Sequence, residues 1–295
     1  MSAIQDTLPF HDLAEIPTAS DWCQRWTGRQ HSWRHRSDGG FDARRYEVDL
    51  IHEDKPAKDF VVRHHYSASF PSARYKVGLY ERDGADRHLH GVAVFGIPVR
   101  KEVLTRPLPD LQPYVESLEC SRFVLTDACS ANSESWFLAR AFSLLLNRGV
   151  RGIVSFADPV PRRDASGAVV AVGHVGTIYQ ASNAVYAGRA TARTVKLLPN
   201  GTILNDRAAQ KIRRQEQGHE YAEAALIALG APVPRAGGDP GLWLRDALAA
   251  VGAQNVRHRG PHRYVFRLGA NRRQREAVRL GLPSVVPYPK QPDGV

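Results

Sequence analysis

From residue 45 the chain alternates apolar and polar positions, RYEVDLI, the period of a strand with one buried face. Two further runs of this kind, residues 75–80 and 91–97, flank a charged turn that contains Asp83-Gly84, a hairpin signal. Between the first strand and this pair, residues 54–62 predict a short helix with Asp54 as its N-cap. After the proline-rich stretch RPLPDLQP, SLECSRFVL predicts another strand. Regular alternation would set Glu119 and Ser121 on one face of it, and Cys120 and Arg122 on the other. SANSESWFLARAFSLLLNRG then changes to helical period. Phe137, Ala141, Leu144 and Leu145 share a face, Asn132 or Ser133 caps the start, and Gly149 stops the helix. VRGIVSFAD, short and largely apolar, suits a buried parallel strand.

The stretch PVPRRDASGAVVAV predicts an inserted hairpin or flap, and its Arg162-Arg163 pair suits phosphate contact or a solvated loop equally. A helix is expected to begin at residues 179–184, followed by strands at 185–188 and 194–199. This order of elements predicts an α/β fold, a mixed central sheet flanked by helices over residues 41–205, behind a loosely ordered lead-in of residues 1–40. Residues 206–295 read as an α+β extension packed on that core. They carry a helix interrupted near Gly218, a second helix in GLWLRDALAAVG, a turn entering a strand in RHRGPHRYVFRLG, and a short basic helix.

Composition adds exclusions. With 295 residues, 43% hydrophobic and 24% charged, the chain has the make-up of an ordinary globular protein. No apolar run approaches the roughly 18 residues that span a bilayer, so no membrane partner is expected. The start lacks the basic and apolar regions of a signal peptide. Cys23, Cys120 and Cys129 form neither a CxxC pair nor a zinc spacing, and a buried reduced thiol at Cys120 fits a cytoplasmic protein.

Charge distribution points to a partner. Of the net +10, the last 90 residues hold 15 basic against eight acidic side chains, a footprint suited to nucleic acid. Lys211, Arg213 and Arg214 lie on one predicted helix. Arg257, His258, Arg259, His262 and Arg263 follow, and Tyr264 and Phe266 alternate with Val265 and Arg267, which suits phosphate contact and base stacking, or equally a strand with one Arg-lined face.

Four groups could carry chemistry. His64-His65-Tyr66-Ser67 offers imidazoles and a phenol for proton transfer or metal binding. Glu119 and Arg122 lie on the SLECSRFVL strand. The helix start at Ser133 and Ser135 could hold an anion on free backbone N–H groups. Asp158 ends an apolar strand, where ligands gather in open α/β sheets, and His174, Tyr179, Gln180 and Asn183 follow it closely.

Taken in order, HHYS–FP, VFGIP, ECSRFVL, NSESWFLARA, SFADP, GHVGTIYQASNAVYAG, KIRRQEQG and HRYVF–YPK resemble the Mom-type DNA-modification proteins of bacteriophages, over roughly residues 20–290. The resemblance implies a GNAT-like fold and transfer of a methylcarbamoyl- or acyl-type group to adenine N6 in double-stranded DNA, as protection from restriction. It implies catalytic roles for Tyr66, Arg122, Ser133, Ser135, Asp158 and Tyr179, and Fe(II) held by His65, Tyr66, Asp158 and Tyr179. Ser133 and Asn183 would contact the donor, whose identity stays open with a CoA derivative among the options; a dimer is an option too. TDACSANS stands where GNAT enzymes carry their pyrophosphate-binding turn, so acetyl-CoA use does not follow. Two other readings stay open: a GNAT-like acyltransferase acting on a small molecule or a pre-modified base, and a DNA-binding protein without catalysis.

Overall fold

A computed structural model of the chain describes residues 22–290. The first described element is an antiparallel hairpin of β1 (Trp22–Thr27) and β2 (Gln30–His35). Then follow β3 (Tyr46–Leu50), α1 (Asp54–His64), and the long hairpin β4 (Ala73–Asp83) and β5 (Asp86–Gly96). A short helix α2 (Glu102–Thr105) leads into β6 (Ser117–Leu125), which α3 (Ser133–Leu146) connects to β7 (Gly152–Ala157). A small hairpin of β8 (Arg162–Arg163) and β9 (Val169–Ala171) precedes α4 (Thr177–Ala181), β10 (Val185–Arg189), β11 (Arg193–Leu197) and β12 (Ile203–Leu204). The chain continues through α5 (Asp206–Arg214), α6 (His219–Ile227), α7 (Pro240–Ala250), β13 (Gln254–His258), β14 (His262–Arg267) and α8 (Arg272–Glu276).

Seven strands form the central sheet in the order β10-β14-β7-β6-β5-β4-β3. Only β6 and β7 run parallel, because α3 carries the chain back across the sheet between them. The mixed sheet flanked by helices is the predicted architecture. On one face Phe137, Leu138, Ala141 and Leu145 of α3 pack on Leu79, Phe95, Leu118 and Ile153. On the other, Ala57, Phe60 and Val61 of α1 and Trp26 of the first hairpin cover Val92, Val94 and Val124. The 206–295 segment does more than pack on this core. Its β14 lies inside the central sheet between β10 and β7, while β13 joins β11 and β12 in a separate three-stranded sheet. Ile212, Leu226, Leu244 and Ala247 form a smaller core of their own between α5, α6 and α7.

Several expectations shift at element ends. Residues 22–35 of the supposed lead-in form a hairpin, whose Arg25 and Trp26 are buried; residues 1–21 lie outside the described residues. A buried arginine breaks the apolar alternation that would have marked this strand. Glu53, not Asp54, occupies the N-cap of α1, and the Asp54 carboxylate accepts from Lys76 Nζ instead. Asn132 precedes α3 in a left-handed conformation and makes no capping bond. Helix α4 starts at Thr177 and closes by Ala181, because Gly176 and Asn183, both at positive φ, bracket it. No helix among the described residues is long and apolar enough to cross a membrane.

Candidate active site

The parallel ladder of β6 and β7 is short: it runs from Ser117↔Gly152 to Cys120↔Ser155. Beyond it β6 continues along β5, while β7 stays with β14. The two strands therefore part at the carboxyl end of this parallel pair, where an α/β sheet offers a binding crevice. A cleft of about 2430 Å³ opens there, reaching from the end of α1 to α5 and α6.

A bulge decides which side chains face it. Val94 pairs with Arg122 and Phe95 with Cys120, so Ser121 has no partner position on β5. The extra residue resets the alternation. Cys120 points into the α3-side core, where burial pushes its thiol up to about 12. Arg122 moves to the opposite face, which it shares with Glu119. The expected pairing of Cys120 with Arg122 on one face is thus corrected. Burial pushes the Glu119 carboxyl up to about 6, against the pull of Arg122. The Arg122 guanidinium donates to Ser69 O at 3.1 Å, Ser69 Oγ at 2.9 Å and Ser121 O at 2.6 Å, tying the loop after α1 to the bulge.

His65 follows the last turn of α1. Its Nδ1 accepts the Ser67 backbone N–H at 3.1 Å, and its ring stacks on Tyr66 with centroids 4.2 Å apart. Burial, then the Arg122 and His174 charges, hold this imidazole well below its ordinary range, so it is neutral with its proton on Nε2. Tyr66 leans on Trp26 at 5.1 Å. Burial and the Asp158 charge raise the Tyr66 phenol. Tyr179, buried on α4, is raised further, by burial first and then by Cys120 and Tyr66. Both phenols are therefore protonated hydrogen-bond donors near neutral pH.

Asp158 stands one residue beyond β7. Its Oδ1 accepts from His258 Nε2 at 2.9 Å and from the Val160 N–H at 3.0 Å. Burial alone would raise this carboxyl, but the His258 hydrogen bond and charge, the Val160 N–H and Arg162 outweigh it and hold the group below its ordinary value. The β8–β9 insertion returns to the cleft at Gly173, where φ is +69° and a Cβ would lie 2.6 Å from Pro159 O. That close return brings His174 back, its N–H donating to Asp158 O at 2.7 Å. Burial lowers the His174 imidazole against the pull of Asp158.

The cleft thus gathers His65, Tyr66, Arg122, Asp158 and Tyr179 from four separate segments. It does not take in every expected residue. Ser133 is fully buried, its hydroxyl donating to Ser130 O at 2.8 Å and accepting from Arg25. The Ser135 hydroxyl donates to Asn132 O at 3.2 Å. Asn183 is exposed at the turn that ends α4. Of the expected DNA contacts, Lys211 and Arg263 line the cleft, while Arg213, Arg214, Arg257 and Arg259 are exposed and outside its lining. His174 was among the polar residues the sequence set after Asp158; His258 was read as part of the basic tail rather than as a partner of Asp158, and Trp26 was not singled out. The density of polar residues after Asp158 marked His174, whereas nothing local tied His258 to Asp158 or marked Trp26.

The implied iron ligands, His65, Tyr66, Asp158 and Tyr179, are partly engaged in other bonds. Among the described residues no three His, Cys, Asp or Glu side chains are placed to hold an ion. His65 Nδ1 is taken by the Ser67 N–H, whereas a ligating histidine ordinarily donates from its second nitrogen. Asp158 Oδ1 is taken by His258 and Val160, and the two remaining donors are neutral phenols.

Comparison with known proteins adds a family. The model of the Mom protein family matches residues 45–290. Among solved structures, the chain is similar to a tandem GNAT protein from the clavulanic acid biosynthesis pathway, solved without AcCoA, at 10% identity and a TM-score of 0.37, over 77% of this chain and 99% of that one. It is also similar to a protein assigned as a phosphinothricin N-acetyltransferase, at 11% identity and a TM-score of 0.29, over 52% of this chain and 87% of that one. No curated protein sequence matches.

Proposed function

The chain belongs to the Mom protein family, and from that membership and the cleft at the β6–β7 fork we propose that it is a DNA base-modifying transferase. Its reaction in this reading adds a methylcarbamoyl- or other acyl-type group to N6 of adenine in double-stranded DNA and shields that DNA from restriction. The observation that carries the reading is the convergence of His65, Tyr66, Arg122, Asp158 and Tyr179 on one cleft, with Arg and Lys side chains in its walls.

The adenine amino group is a weak nucleophile, since its lone pair is delocalised into the ring. A base must take its proton as it attacks, and positive groups must meet the charge that develops on the donor's carbonyl oxygen. Asp158, held ionised, accepts the N6 proton. Arg122 and the protonated phenols of Tyr66 and Tyr179 face the developing oxyanion. The N6–carbon bond forms, the bond from that carbon to the donor's leaving group breaks, and the leaving group departs with the electron pair.

A base inside a duplex is out of reach of such a cleft, so it leaves the stack at a cost of about a few kcal/mol. Seven Arg and Lys side chains line the cleft against five acids, which suits the phosphate backbone. At the far wall Tyr221 of α6 is 83% exposed beside Lys211, a pairing suited to stacking and phosphate contact.

The test is co-expression with plasmid DNA and mass spectrometry of the nucleosides. The expected result is a modified deoxyadenosine that Asp158→Ala and Arg122→Ala both abolish. Unmodified DNA from the folded wild type would sink the reading. Salt-sensitive DNA binding without any modification would point instead to a binding protein.

A further inference from the structure

We propose that His258, supplied by the C-terminal segment, is a positioning residue of the cleft: its Nε2–H clamps Oδ1 of Asp158 and leaves Oδ2 as the working edge of the carboxylate. The inference rests on the reading of Asp158 as the proton acceptor.

The geometry leaves His258 little else to do. Its Nδ1 accepts the Gly260 N–H at 2.9 Å, so a neutral ring carries its proton on Nε2, the atom that lies 2.9 Å from Asp158 Oδ1. Both ring nitrogens are occupied, and the residue is 7% exposed. His258 therefore cannot itself take a proton from a substrate. The turn that fixes it depends on a glycine. Gly260 sits at φ +92°, and a Cβ there would meet Ala190 O at 2.0 Å, so only glycine presents this N–H to the ring.

The Val160 N–H shares Oδ1 with His258, and Oδ2 accepts no hydrogen bond among the described residues. The other charged or titratable groups acting on this carboxylate are Arg162 from β8, Tyr66 after α1 and His174 before α4. His258 ends β13, a strand outside the central sheet, so the pair bridges the core and the C-terminal segment. On the same stretch Arg257 and Arg259 are exposed on either side of the buried ring. The segment read as DNA-binding would then also complete the catalytic carboxylate.

The experiment compares full-length wild type, His258→Gln, His258→Leu and Asp158→Ala. Long-range 1H–15N spectra of the imidazoles are expected to show wild-type His258 as the Nε2–H tautomer, with that resonance shifted in Asp158→Ala. A wild-type Nδ1–H tautomer, or a resonance indifferent to Asp158→Ala, would overturn the clamp. In the plasmid assay His258→Leu is expected to lose about 100-fold in modified deoxyadenosine at equal protein level, the scale of a misplaced reacting group, while the purified variant binds DNA as wild type does. His258→Gln, which keeps an N–H donor, should recover most of the loss. A folded Leu variant with wild-type modification, or a folded Gln variant as poor as Leu, would also overturn the proposal. Should wild type modify no DNA at all, the functional reading fails, and the spectra still decide the clamp.

Discussion

Arg25, near the end of β1, and Glu134, in the first turn of α3, form an ion pair at 2.8 Å with both side chains almost wholly out of solvent. The same guanidinium donates to Thr126 O, Ser130 O and Ser133 Oγ, so the first hairpin is bonded to the loop that opens α3. Removing one partner strands a buried charge. Arg25→Met is therefore expected to cost about 3–5 kcal/mol in urea unfolding, whereas Arg25→Met with Glu134→Leu should recover most of it. Additive losses in that double-mutant cycle would show that the two do not interact.

Asn183 separates two roles cleanly. It stands at φ +60° and its N–H donates to Gln180 O at 3.1 Å, so it serves the turn out of α4. Asn183→Gly relieves the left-handed strain and removes the amide. The expected outcome is unchanged DNA modification and a stability within about 1 kcal/mol of wild type. A selective rise in KM for the donor would return Asn183 to the donor site.

The exposed cations lend themselves to a salt titration. Lys211, Arg213 and Arg214 share α5, with Lys211 on the cleft and the other two in solvent. Each Lys→Gln or Arg→Gln change is expected to weaken DNA binding alike across sequences and to lower the slope of log K against log salt by about 1. An unchanged slope in the triple variant would place the DNA elsewhere.

Much of this was legible in the sequence for identifiable reasons. Strand β7 is short, apolar and followed by Asp158-Pro159, so both a buried parallel strand and a carboxylate at its end follow from pattern alone. The helical spacing of Phe137, Ala141 and Leu145 likewise fixed α3. The bulge at Ser121 left only a faint mark, the adjacent polar pair Ser121-Arg122 that breaks the alternation of SLECSRFVL, and the extra residue is identified only against β5. Nor was the Asp158–His258 pair, whose members are 100 residues apart and meet through the pairing of β13 with β11. Arg25 failed for the opposite reason, since a charged residue in a strand reads as exposed until its buried partner is known.

Glu119 offers the sharpest dependence on pH. Its carboxyl is held at about 6 in the folded chain by burial, against an ordinary value of 4.5. Between those values the folded state holds a proton that the unfolded state has lost, so stability falls as pH rises through this window. Above about pH 6 the full cost is present, and a shift of this size corresponds to about 2 kcal/mol. Glu119→Gln keeps the shape without the charge. It is expected to leave stability near wild type at pH 4, to exceed wild type by up to about 2 kcal/mol at pH 7.5, and to flatten the profile between. Urea unfolding at half-unit steps of pH measures this directly. A variant whose stability parallels wild type across pH 4.5–6.5 would mean that Glu119 is not the raised acid at the bulge. If that acid also takes part in the transfer, the variant's modification rate should lose its own dependence on pH near 6, while an unchanged rate profile would leave Asp158 as the only carboxylate the reaction uses.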